Sequence, residues 1–143
     1  MKIRHDRRTR NLWTTSLALL LVLSAGVLAA PGSARAESRI VATGEFEGRS
    51  DHTVSGGVTV IETDSGYVVL LEKDFYLDGA PDPKLGFGSD GYQASSLFSE
   101  LRADRGLQAY EVTGDVGGFN ELWVWCEKFD VPLGVARLTR SDH

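Results

Sequence analysis

The sequence predicts an all-β domain, an antiparallel β-sandwich or small barrel-like sheet with one short helix near residues 94–105. Three observations predict it. After residue 36 the chain is a series of short apolar runs, several alternating with period two, separated by Gly, Asp, Ser and Pro. Glycine is dense there, 14 of 107 residues, which favours many turns over long helices. Beyond residue 36 a single segment, Ala94–Arg105, puts apolar residues at helical spacing: Ala94, Leu97, Phe98 and Leu101.

The elements follow in order. A polar lead-in, Glu37–Arg39, precedes a strand over Ile40–Glu47, and Gly48 to Asp51 supply the turn after it. Thr53–Glu62 is the next strand, with Val54, Val58 and Val60 in one parity. Asp64-Ser65-Gly66 between two apolar runs reads as a hairpin. Tyr67–Glu72 is apolar on both faces, which suits a central strand. Phe75–Leu77 and Lys84–Phe87 are short strands around the turn from Asp78 to Pro83. The helix then runs to Gly106, a suitable residue just past a helix end. Leu107–Val112, Glu121–Glu127 and Val131–Leu138 complete the strands, with the turn from Gly114 to Gly118 between the first two. Glu121–Glu127 says most. Leu122, Val124 and Cys126 share one face, and Trp123 and Trp125 share the other. A second apolar face must be covered or must bind something.

The first 36 residues are expected to be a secretory signal peptide. Lys2 to Arg10 form a basic start, Leu17 to Ala30 an apolar run, and Pro31-Gly32 a break. Ala34 and Ala36 are the small residues a signal peptidase accepts, so cleavage is expected after Ala36. The alternative is an uncleaved anchor over Leu12–Ala30, and only then would the protein touch a membrane. Arg7-Arg8 invites a twin-arginine reading, but Arg10 and Asn11 stand where apolar residues are wanted. The expected location is secreted or periplasmic.

Charge excludes some partners. Of 15 basic and 20 acidic residues, six basic and one acidic lie in the first 36, leaving 9 against 19, a net of −10. Such a surface repels phosphate backbones, so no nucleic acid is expected. Gly86-Phe87-Gly88-Ser89-Asp90-Gly91 spells G-x-G-x-x-G. Pro81 and Pro83 leave too short a strand before it for a dinucleotide fold, so it reads as a glycine-rich turn. Asp74, Asp78, Asp82 and Asp90 surround that loop without the spacing of an EF-hand. After residue 36 there are two histidines, His52 and His143, one cysteine, Cys126, and no methionine. That is too little for a zinc or copper site, and no C-x-x-C or G-x-S-x-G is present. No metal or cofactor of its own is expected, though haem or metal on a partner chain stays open. No nucleophile, base and orienting group come together in the sequence, so the chain reads more as a non-enzyme than as an enzyme.

Cys126 is unpaired in a chain expected to reach an oxidising compartment. It is either a small apolar residue packed in a strand or a redox and partner-linking thiol. The surrounding sequence resembles a known family. Trp125-Cys126-x-x-Phe129-x-Val131-x-Leu133-Gly134-x-Ala136-x-Leu138 is similar to the closing signature of the DM-thirteen domain, also called the electron transfer DM domain. Gly44-x-Phe46 and His52-x-Val54-x-Gly56 resemble its opening strands, and Asp74-Phe75-x-x-Asp78-Gly79-Ala80-Pro81-Asp82 its central element. Gly106-x-Gln108-x-Tyr110 resembles the strand before the cysteine, so the likeness spans about Ala42–Thr139. It implies an extracytoplasmic β-sandwich-like module, found in larger proteins beside haem-binding DOMON and cytochrome-b-type domains. It also implies an electron-transfer role centred on the cysteine matching Cys126. On this resemblance the chain is expected to carry the module alone, so that any electron partner comes from another chain.

Two functions are expected from these readings. In the first, Cys126 is a redox group, shaped by Trp123, Trp125 and Phe129, with His52 as a nearby base and Asp74, Asp78, Pro81 and Asp82 as a supporting loop. A lone thiol would then work through a sulfenic acid, a mixed disulfide or a bound cofactor, with an envelope protein of unknown identity as redox partner. In the second, the module is non-catalytic and Cys126 is structural. Trp123, Trp125, Tyr92 and Phe119, or the loop from Asp78 to Gly91, then dock a protein or ligand. Accessibility of Cys126 separates the two.

Overall fold

The computed structural model describes residues 37–141; the expected signal peptide or anchor and His143 lie outside them. Among the described residues there are eleven strands: β1 (Arg39–Gly48), β2 (Val54–Ser55), β3 (Gly57–Thr63), β4 (Gly66–Leu71), β5 (Tyr76–Leu77), β6 (Pro83–Gly88), β7 (Ser99–Glu100), β8 (Gln108–Val112), β9 (Glu121–Cys126), β10 (Val131–Arg137) and β11 (Thr139–Arg140). All pairings are antiparallel, in the order β7-β6-β9-β10-β1-β3-β4-β8. The fold is the all-β class expected, a barrel-like sheet that nearly closes on itself.

β1 makes the curvature. Its first part pairs with β3 on one side and with β11 on the other, and Phe46–Gly48 pairs with β10. A bulge between Ile40 and Ala42 and another in β10 between Pro132 and Gly134 add local twist. The ends of the sheet, β7 and β8, are not laddered to each other. Side chains bridge them instead. The Arg102 N–H donates to Tyr110 Oη at 3.0 Å, the Arg102 guanidinium to the Ala109 carbonyl, and the Ala103 N–H to Gln108 Oε1 at 3.0 Å. The Phe98 ring meets Tyr110 edge-on.

The strand expected over Thr53–Glu62 is two strands. Gly56 interrupts it at φ +100, and any Cβ there would stand 2.5 Å from the Phe75 Cα. β2 leaves the main sheet and pairs with β5. The hairpin at Asp64-Ser65 joins β3 to β4 as expected, with Thr63 opposite Gly66. β4 has a neighbour on each side, as its two apolar faces suggested, although Val68 and Leu70 on its outer face are only half-buried.

The expected helix shrinks to one 3-10 turn, Ala94–Ser96. Ser96 Oγ donates to the Phe87 carbonyl and accepts from the Phe87 N–H, pinning the turn to β6. Beyond it, the Phe98 and Leu101 N–H groups donate to Leu85 and Pro83 carbonyls of β6. The ladder to β6 takes the donors a helix would have used. Ala94 and Leu97 are exposed, so half of the apparent helical stripe stays outside the core.

The core fills the inside of the sheet. Val58, Val60, Val69, Leu71, Phe75, Leu77, Leu85, Leu122, Val124 and Leu133 are essentially fully buried. Phe46 meets Phe75 edge-on, and Phe87 lies between Phe98 and Phe119.

Candidate functional site

β9 alternates as its sequence requires. Leu122, Val124 and Cys126 point into the core, while Glu121, Trp123 and Trp125 point outward. Cys126 is 1% exposed and sits in register with Pro83 of β6 and Val131 of β10. It belongs to the apolar core cluster and has a strand partner on each side.

Outside, the sheet carries an aromatic cluster. Trp123 lies opposite Gly86 and Val135, and Trp125 opposite Lys84 and Pro132. Tyr92 stacks on Trp125 with ring centroids 4.3 Å apart, and Trp123 meets Trp125 edge-on at 6.2 Å. The glycines of the G-x-G-x-x-G stretch make room for this. A Cβ on Gly86 would stand 2.7 Å from the Tyr92 ring. One on Gly88 would stand 2.0 Å from the Gly91 carbonyl oxygen. The stretch is therefore a glycine-rich strand end and turn, as its context implied. Its bare backbone lets loop 89–93 fold back over β6.

Each tryptophan is held by a carboxylate. Trp123 Nε1–H donates to Glu121 Oε2 at 3.0 Å, and Trp125 Nε1–H to Asp130 Oδ1 at 3.2 Å. The Gly91 N–H adds a bond to Glu121 Oε2 at 2.8 Å. Burial raises the Tyr92 phenol above its ordinary pKa, and the charges of Glu127 and Asp130 act in the same direction. Lys84, opposite Trp125, is nearly buried. Its ammonium contacts Glu100 at 2.6 Å, Asp82 at 2.9 Å and Glu127 at 3.7 Å. The hydrogen bonds to Glu100 and Asp82 hold its pKa well above the usual lysine range.

Beside the cluster a cleft of about 350 Å³ opens between loop 89–91 and the β1–β2 loop, with Trp123, Glu121, Arg49 and Arg137 in its lining. A larger cleft, about 490 Å³, lies at the seam between the 95–98 segment and the end of β8. It opens on Phe87 and Phe119. Ser96, one of the hydroxyls in its lining, is already bonded to β6.

The remaining expected site residues are dispersed. Phe129 is 62% exposed at the tip of the β9–β10 hairpin, under the Lys128 ammonium. Phe119 stacks on Phe87 at the core rather than joining the tryptophans. His52 Nδ1 pairs with Asp78 Oδ1 at 2.7 Å, and no hydrogen bond among the described residues links it to Cys126. Asp78 also accepts the Thr53 N–H at 2.8 Å; that bond, and then His52, hold its pKa below the ordinary carboxylate value. Asp74 accepts the Gly57 N–H, Asp82 pairs with Lys84, and Pro81 is an exposed turn residue. Among the described residues no three His, Cys, Asp or Glu side chains converge as a metal site.

Glu121, Arg49 and Arg137 were not expected. Glu121 had a signal, since it shares the parity of the two tryptophans. The arginines reach the cleft only through the register of β10 with β9 and the path of the β1–β2 loop, which a sequence does not display. No family model, curated protein or solved structure matches the chain, so the family resemblance rests on its motif residues alone.

Proposed function

We propose that the chain is an exported, non-catalytic binding module whose ligand docks on the outer face of β6, β9 and β10, with Cys126 a packing residue of the core. The observation that carries this reading is the division of β9. The thiol lies inward at 1% exposure, while Tyr92, Trp123 and Trp125 form a braced, half-buried surface on the other side. A buried thiol among apolar side chains is poorly placed to attack or be oxidised. A rigid aromatic surface loses little entropy on contact and is well placed to bind. Export rests on the tripartite N-terminal segment.

The electron-transfer reading drawn from the DM-thirteen resemblance keeps one observation in its favour: Tyr92, Trp125 and Trp123 form a chain of neighbouring rings beside the cysteine in sequence. Co-sedimentation of the purified protein with envelope fragments of the producing cells separates the two. The binding reading expects Trp123→Ala to lose association and Cys126→Ala to keep it, both variants remaining folded by circular dichroism. The reverse pattern would favour the redox reading.

A further inference from the structure

The cleft beside Trp123 has an unusual donor and acceptor set. Glu121 is only 9% exposed, and both of its hydrogen bonds fall on Oε2. Oε1 has no partner among the described residues, yet no buried polar side-chain atom there is left unsatisfied, so Oε1 must reach solvent through the cleft it lines. Arg137 is directly across the ladder from Glu121, but its guanidinium makes no ion pair or hydrogen bond among the described residues. Arg49 is held at the rim by the Gly48 carbonyl and Glu47. Asp90 completes the wall.

A ligand for this cleft must satisfy a free carboxylate oxygen and a free guanidinium while covering an indole. The carboxylates of Glu121 and Asp90 balance the guanidiniums of Arg49 and Arg137, so the cleft favours net charge of neither sign. An extended peptide finds no free edge on β9, which pairs with β6 and β10, and the outer side of β6 beside it is taken up by Tyr92, Gln93 and Ser96. A neutral polyhydroxylated ring meets every requirement. Its C–H face packs on an indole, and its hydroxyls both donate and accept. A volume of about 350 Å³ lies at the small end for ligand sites, which suits one or two sugar rings.

We propose that this cleft binds a neutral pyranose residue of a glycan, with the ring laid on Trp123 and its hydroxyls shared between Glu121 Oε1 and the Arg137 guanidinium. The proposal rests on the reading of this face as a binding surface and names its ligand class.

The test is affinity electrophoresis of the full-length protein in native gels holding soluble starch, glucomannan, hydroxyethylcellulose or dextran, with polygalacturonate and chitosan as charged comparisons. Retardation is expected in at least one neutral gel, weakened at least tenfold by Trp123→Ala. Arg137→Ala, an exposed change that leaves the sheet intact, should weaken it at least fivefold. Folded protein that migrates freely in every neutral gel overturns the proposal, as does retardation that both variants retain. Retardation in polygalacturonate or chitosan alone overturns the neutral ligand but leaves the face a binding surface. The broader reading fails separately, if Trp123→Ala leaves envelope association intact.

Discussion

On β9 two kinds of side chain alternate, and they answer to different constraints. Leu122, Val124 and Cys126 face a core with no room and no polar group to satisfy. Any apolar residue of the right volume serves there, and a thiol is one such residue. Glu121, Trp123 and Trp125 face outward, where a strand needs no aromatic residue to fold. Yet both indoles are bonded to carboxylates, and two glycines on β6 are bare so that Tyr92 can reach Trp125. Effort spent on positioning an outer face is a sign of function, and tight burial on an inner face is a sign of packing.

The largest expected effect sharpens this contrast. Leu122→Ala should cost about 2–5 kcal/mol of stability in urea unfolding, the range for truncating a buried leucine. Trp123→Ala should cost clearly less while removing ligand binding. Equal losses of stability from the two would break the distinction between the faces. Next in size is Gly88→Ala, whose Cβ would overlap the Gly91 carbonyl. Overpacking of this kind costs about 1–3 kcal/mol. It should also displace loop 89–93, seen as loss of the near-ultraviolet circular dichroism of the Tyr92–Trp125 stack.

Cys126 gives the third comparison. Cys126→Ser puts a hydroxyl where no partner waits, a cost of about 1–3 kcal/mol. Cys126→Ala should be the milder change, and neither should alter binding at Trp123. Serine tolerated better than alanine would mean the site is polar, against the packing role. The smallest effect concerns Asp78. The Thr53 N–H and His52 stabilise its carboxylate, so its folded pKa lies below the unfolded one. Its contribution is therefore present above the unfolded value and is lost as pH falls through the folded one. In Asp78→Asn the decline of melting temperature below about pH 4 should be shallower than in the wild type. Ligand binding should not change, since neither His52 nor Asp78 lines the Trp123 cleft and Arg49, which does, is held by the Gly48 carbonyl and Glu47.

Much of the fold was legible from period-two alternation. Seven of the expected strands recur within a residue or two, because alternation reports burial of one sheet face directly. The division of β9 into a cysteine face and a tryptophan face was readable for the same reason. The helix misled because Phe98 and Leu101 are apolar for a strand's reason, packing from a segment laddered to β6. The break at Gly56 was hidden because its cause is the Phe75 backbone, 19 residues away in the chain. The cleft was half legible. Its indole and its carboxylate are on one strand, whereas Arg49 and Arg137 arrive from a loop and a neighbouring strand. The grouping of Phe119 with the tryptophans failed because aromatic character alone does not say which side of a sheet a loop residue packs on.

The most direct measurement is the intact mass of the protein, purified from the cell envelope without reductant, before and after treatment with a thiol alkylating agent. The account predicts an unmodified Cys126 that takes up no alkyl group in the native protein and takes up one after denaturation. An oxidised or adducted Cys126, or rapid alkylation of the native protein, would contradict it and make the inner face of β9 the functional one.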